Sequence, residues 1–513
     1  MGEEKPLDAS NECTEKGEFG SIEPFDTRLS WWEQFQCLGR SRRSALAALA
    51  CSSAAILIGY DLTLIGSIIA NDEFVKTFGS HDTRSDTWSL PANRQLVWSV
   101  VQYISAISGA FSMGFLNDIF GRRMCFISII FLTTAGTLAE LFSPNWKVWI
   151  VAKLLLGSAM GFMQGVIPTY VSELSPVHIR GFMLSLFQFW IILGSFLASC
   201  VLEGTSKIDG PWSWKAAIVS QLGIGFICLT LFIPLVPESP YFLMSKSKLD
   251  ATRSALLRLR GSEPEYDVDA DMEIMQATIE HERQSADADA PSYLDCFKGA
   301  DRRRTLIACL PMVMQHFSGY PLCGNYLSYF LELSGLTDSF LITVISLLFS
   351  MFAVLLSFLL IEYVGRRPQL LSGLCGMIPC LLGISILGFV NPGTLANGHA
   401  LAAVAIIWSI FYYLSVGAVG WTLVAEVSSP RLRAKTTSIA AMSNSLINMG
   451  FSIGIPYLIN ADEADLGPKA GLVFLVPCII GTVLAFFVVP ATKNKPFHEL
   501  DRLFEAGTPA RKF

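Results

Sequence analysis

The chain reads as an all-α membrane protein with twelve transmembrane helices in two six-helix halves. Three observations predict this. Of 513 residues, 52% are hydrophobic but only 16% are charged, against the roughly 25% charged residues of soluble proteins. About twelve apolar stretches, each long enough to cross some 30 Å of hydrocarbon, hold only five of those charges. Short loop signals from the first half recur in the second. Disorder, collagen and a small disulfide scaffold are excluded by the same composition.

The spans fall near 44–70, 96–116, 124–142, 148–172, 182–202, 214–236, 305–335, 340–361, 369–390, 400–425, 436–459 and 470–489. Backbone N–H and C=O groups inside hydrocarbon must be satisfied within their own segment, so the spans are helices. Residues 1–43 form a polar tail, 44–236 the first half, 237–304 a charged linker with an amphipathic helix over Leu249–Leu259, 305–490 the second half and 491–513 a second tail. With both tails on one side, 29 of the 37 Lys and Arg fall on that side and seven on the other. The positive-inside rule then makes both termini cytoplasmic. The first tail has no basic n-region or small-residue cleavage site, so the first span doubles as the insertion signal.

The motif survey is largely negative. The 12 Cys follow no metal spacing, no phosphate-binding G-x-x-x-x-G-K-[ST] occurs, and no nucleophile–base pair suggests an enzyme. The lipid bilayer is the expected partner, with no nucleic acid and no cofactor.

The repeat is specific. Gly121-Arg122-Arg123 returns as Gly365-Arg366-Arg367, Glu173…Pro176…Arg180 returns as Glu426…Pro430…Arg433, and Pro237 is answered by Pro490. An acid, Asp118 or Glu362, followed by glycine and two arginines makes a tight turn whose guanidinium forks suit carboxylates. Glu173 and Glu426 lie where such forks reach them, so the pairs read as a cytoplasmic gate latch that forms when that side is closed. Arginines that enforce topology or bind anionic lipid are the other reading. Duplicated halves place a substrate site near the bilayer midplane, where they meet.

With these residues the chain resembles the sugar porter family of the major facilitator superfamily over all twelve spans. The matching stretches are Gly59-Tyr60-Asp61, Gly114…Asp118…Gly121-Arg122-Arg123, Lys153…Gly157, Pro168 to Pro176 with Arg180-Gly181, Pro237-Glu238-Ser239-Pro240 and Trp421…Glu426…Arg433. Gln315…Gly319…Gly324…Tyr329-Phe330…Gly335 is most similar to fungal α-glucoside permeases. The resemblance implies sugar contacts from Gln188, Gln315, Trp421 and Asn444, and it places His316 where members carry a second Gln. Pro321 and Ser445 also depart from the family pattern and imply a differently shaped site. Glu238 joins the latch, whereas Tyr241 and Ala491 replace a family Arg and Glu and thin it.

Two charges are left deep in the spans. Asp61 lies roughly 25 Å along an outward-running helix at 1.5 Å per residue, and Lys153 lies at similar depth on an inward-running one. Ionisable residues at such depth default to function with a named partner, and the resemblance implies a proton-coupling pair; a static ion pair that fixes packing is the other reading. In the coupling cycle, protonation of Asp61 from outside frees Lys153 and lets span one close over the sugar. Glu140, Glu203 and Glu332 read as lying near outer span ends, within reach of water and without a role.

The expected function is a proton-driven sugar importer working by alternating access. The same fold moving a non-sugar metabolite is the alternative. A non-transporting sugar sensor would carry a longer tail than the roughly 23 residues after Pro490.

Overall fold

The computed structural model describes residues 41–82, 87–175, 180–205, 207–261, 266–285, 292–325, 327–328, 331, 336, 339–390, 394–429, 432–459, 466–492, 502–504 and 506–510. Span one is two helices, α1 (Arg42–Ser52) and α2 (Ala55–Ser67). A short helix α3 (Asp72–Phe78) and a hairpin, β1 (Ser80–Asp82) paired with β2 (Thr87–Ser89), follow it. Spans two to six are α4 (Ala92–Phe120), α5 (Arg122–Leu141), α6 (Trp146–Leu174), α7 (Arg180–Thr205) and α8 (Trp212–Leu235). The linker contributes α9 (Pro240–Ser245), α10 (Leu249–Arg260) and α11 (Val268–Ser285). Span seven starts with α12 (Gly299–Phe317), spans eight and nine are α13 (Ser339–Tyr363) and α14 (Arg366–Leu387), and span ten is α15 (Leu395–Leu414) with α16 (Val416–Val427). Spans eleven and twelve are α17 (Arg433–Ile459) and α18 (Gly471–Val488).

Among the described residues, ten of these segments are long and apolar enough to cross a membrane by composition alone. Spans seven and eleven are not, for different reasons. Span seven opens on the charges of Asp301 to Arg304, ends as α12 at Phe317, turns at Gly319 (φ 101°) and resumes as a π-helical turn over Pro321–Asn325. The continuous helix expected over 305–335 is therefore broken. Helix α17 is long enough, about 40 Å for its 27 residues, but it is rich in Ser, Thr and Asn, and it packs against both α4 and α12. The halves meet where α4 packs on α17 and α7 packs on α13.

Spans one and ten are also interrupted. Ser52 and Ser53 turn their hydroxyls onto Leu49 O and Ala50 O, a local bond that competes with the helix ladder. Ser415 (φ −125°, ψ −101°) splits span ten. Backbone groups released in a membrane must be re-satisfied, and side chains do so here: Trp408 Nε1 donates to Ser318 O at 2.9 Å, Gln369 Nε2 to Leu414 O at 2.7 Å and Gln315 Nε2 to Val416 O at 3.3 Å.

Helix α3 forms a plug at the end of the first half opposite the Gly121 turn. Asn71 caps it through Oδ1, and Phe74 and Phe78 sit among Trp98, Trp149 and Trp214 with ring centroids 5.1 to 6.2 Å apart. At the other end, which carries the two arginine turns, linker residue Tyr293 stacks on Phe111, and Lys435 Nζ of α17 lies 5.1 Å over Tyr293 and 5.3 Å over Phe115.

Glycine decides how closely α2 and α7 approach. A Cβ on Gly59 would lie 1.8 Å from Ile191 O, and one on Gly194 would lie 2.0 Å from Ile56 O. Gly59→Val is expected to destabilise the protein by about 1–3 kcal/mol or more, read as a fall in the unfolding temperature of purified protein in detergent. An unchanged unfolding temperature would show that α2 and α7 can separate freely.

Candidate functional site

The two charges predicted to pair do approach each other, but they are not alone. Lys153 Nζ of α6 lies 3.5 Å from Asp61 Oδ1 of α2 and 2.5 Å from Glu140 Oε1 of α5. Gln102 Nε2 of α4 donates to Asp61 Oδ2 at 2.6 Å. The group is dry: Asp61 is 5% exposed, Lys153 1%, Gln102 1% and Glu140 0%. Glu140 therefore does not reach water as its place near a span end suggests. Helical side chains lean toward the N-terminus of their helix; α5 and α6 run in opposite senses, so Glu140 leans into the membrane and Lys153 leans to meet it. Glu203 does reach water, paired with Lys207 at 2.8 Å, and Glu332 lies outside the described residues.

The predicted substrate residues lie in both halves. In the second half, Asn444 Nδ2 of α17 donates to Gln315 Oε1 at 3.0 Å and to Met312 O at 3.4 Å. His316 beside them is 3% exposed; the Thr422 and Ser445 hydroxyls are buried with no hydrogen-bond partner among the described residues. Across the halves, Trp421 of α16 meets Phe187 of α7 edge-on at 5.4 Å, and the next residue, Gln188, is also buried. Beside Asp61, a cleft between the halves is lined by Leu62, Gly66, Gln102, Tyr103, Asn325 and Ser452, among others.

Matching turns build the arginine end. Gly121 (φ 88°) and Gly365 (φ 91°) both take the left-handed conformation, open to glycine without strain. Arg122 grips Glu173 with both prongs, at 3.0 and 2.9 Å, and Ser239 Oγ adds a third bond at 2.5 Å. Glu238 accepts from the backbone N–H groups of Arg122, Arg123 and Ser239, placing a carboxylate on the N-terminus of α5, where the helix dipole favours it. In the second half Arg366 reaches only one oxygen of Glu426, at 3.0 and 2.7 Å, and Thr492 Oγ1 takes the other at 2.7 Å. Among the described residues Arg123 and Arg367 bond no carboxylate; they donate to carbonyls at the ends of α8 and α18, Ile233 O and Phe486 O. The side chains of Asp118, Arg180, Glu362 and Arg433 lie outside the described residues, as do Pro176 and Pro430.

This architecture has solved counterparts. The proton:xylose symporter XylE of E. coli, bound to 6-bromo-6-deoxy-D-glucose, superposes with a TM-score of 0.73 at 21% identity, over 91% of this chain and all of XylE. Among curated relatives, the MFS transporter fmqE of Aspergillus fumigatus is 30% identical over 89% of this chain and 84% of its own length. The general alpha-glucoside permease of Saccharomyces cerevisiae is 28% identical over 93% of this chain and 78% of its own. The family model for "Sugar (and other) transporter" matches residues 46–504. The chain belongs to that family.

Two features of this family member were not legible from its motifs: Glu140 as a second partner of Lys153, and Thr422 among the buried polar groups. The signal for Glu140 was present as one of five charges within the spans. Position along the helix, taken without side-chain lean, hid it.

The turn asymmetry has a measurable consequence. Glu238→Ala removes the carboxylate at the start of α5 and is expected to cost about 1–2 kcal/mol, lowering the unfolding temperature. Ala491→Glu supplies its counterpart to α14 and is expected to raise it by a similar amount. A fall with Ala491→Glu would show that the two turns are not equivalent.

Proposed function

We propose that the protein is a secondary active transporter that imports a sugar with protons by alternating access. The buried Asp61–Lys153 contact beside the inter-half cleft is the observation that carries this reading. A carboxylate held in hydrocarbon near a cation is costly unless it works, and it can exchange a proton with whichever side the cleft opens to. The reading is supported by the relatives named for α-glucoside and proton:xylose transport. It requires no cofactor and no enzymatic step.

In this reading the sugar lies between the halves. Gln315 and Asn444 offer amides that both donate and accept, Gln188 does so from α7, Trp421 offers a ring face, and His316 adds a buried imidazole beside Asn444. The arginine-turn end faces the cytoplasm of the plasma membrane, with both tails on that side, in keeping with the Lys and Arg tally. There the Arg122–Glu173 and Arg366–Glu426 pairs brace each half in the state closed to the cytoplasm. A second reading, a non-sugar cargo in the same fold, is favoured by His316, Pro321 and Ser445 at the expected site.

Uptake of labelled glucose, maltose and sucrose by a transport-deficient cell, with and without a protonophore, separates the two readings. Uptake of one sugar, abolished by the protonophore, is expected; none by well-expressed protein would favour the second. Asp61→Asn is expected to abolish accumulation against a gradient while leaving exchange of the same sugar measurable. Equal loss of both at normal surface expression would make the pair structural.

A further inference from the structure

Lys153 has two buried carboxylates and the group has one cation, so the three charges in full ionisation leave a net negative charge in a dry site. Glu140 lies at 2.5 Å and Asp61 at 3.5 Å. Glu140 is sealed, at 0% exposure, and its second oxygen, Oε2, has no hydrogen-bond partner among the described residues, so Lys153 is what compensates it. Asp61 instead is held by Gln102, which lines the cleft between the halves. Other elements add no opposing charge among the described residues. Lys215 of α8 turns onto the ring of Trp214 at 5.4 Å, Lys76 and Glu73 of α3 pair with each other, and α7 presents Ser195, bonded to Gly59 O.

We infer that Glu140 is the standing counter-charge of Lys153 and thereby a positioning residue for proton exchange at Asp61. This rests on the proton-coupled reading above and deepens it. With Glu140 ionised against Lys153, the group is neutral when Asp61 carries a proton. Loss of that proton to the cleft leaves one negative charge shared around Lys153. Protonation of Asp61 then never strands Lys153 as an unpaired cation in hydrocarbon, an expensive state. The proton moves between water in the cleft and a carboxylate oxygen of Asp61; Glu140 neither gains nor loses one.

The test needs no known substrate. Infrared difference spectroscopy of the purified full-length protein follows the protonated-carboxyl C=O stretch against pH, and D61N identifies the band that belongs to Asp61. In E140Q, Lys153 has only Asp61 to pair with, so the midpoint of that band is expected to fall by about 1–2 pH units. In E140Q/K153Q the cation is gone, and the midpoint is expected to move above that of the natural protein. E140D, which keeps the charge, is expected to restore the natural midpoint.

The double variant leaves no unpaired Lys153, so it keeps the test open if E140Q does not fold. A band that depends on Asp61 but keeps its midpoint in E140Q and in E140Q/K153Q would overturn the assignment of Glu140 and leave the coupling role of Asp61 standing. A band that survives D61N and is lost in E140Q would make Glu140 the proton carrier and overturn it as well. Absence of any titrating carboxyl band in the natural protein would instead remove the proton-coupled reading on which it rests.

Discussion

A charge inside hydrocarbon has to be compensated where it stands, and much of this structure can be understood from that constraint. Five charges fall within the expected spans. Three of them, Asp61, Glu140 and Lys153, converge on one point between α2, α5 and α6. Around that point the packing is close: glycines at 59 and 194 draw α2 against α7, and the aromatic plug of α3 seats Trp149, whose ring lies 5.5 Å from Lys153 Nζ. Low local dielectric makes each interaction there stronger and each missing partner more costly. A proton is the smallest change that can alter the charge of such a site.

The same accounting applies to the backbone. Spans one, seven and ten are broken, and broken helices at membrane depth persist only where protein groups or a cleft take up the freed donors and acceptors. Gln315 shows how the two demands meet. Its Nε2 holds Val416 O just past the break in span ten, and its Oε1 accepts from Asn444. A ligand that engaged this amide would compete with a bond that stabilises the break. Occupancy would then be felt in the shape of α16, which carries Trp421 against Phe187 of the other half. In the proposed cycle this links binding to closure without a separate signalling element.

Much of this was legible in the sequence because its signals are properties of short segments. Absence of charge marks a span, and the Gly-Arg-Arg turn repeats because both halves use the same left-handed glycine. Asp61 and Lys153 could be matched by counting residues along two helices of opposite direction. Other features depend on relations that counting does not capture. Glu140 sits nearer a helix end than Lys153, but the lean of both side chains closes the gap. Span eleven looks too polar to cross a membrane by composition alone, and its packing against α4 and α12 shows only in the fold. The break at Ser415 depends on tertiary partners, Gln369 and Gln315, that are distant in sequence.

The two arginine turns show how a duplicated unit can lose its symmetry while keeping its fold. In the first half, Glu173 takes two prongs of Arg122 and the hydroxyl of Ser239, and Glu238 closes the N-terminus of α5. In the second half, Thr492 repeats Ser239, but Ala491 stands where Glu238 would be, and Arg366 meets one oxygen only. Charge-assisted bonds to a helix N-terminus stabilise the turn by an amount the alanine cannot supply. The two arginine turns are therefore held by different sets of contacts, and among the described residues only the first has a carboxylate on its helix N-terminus.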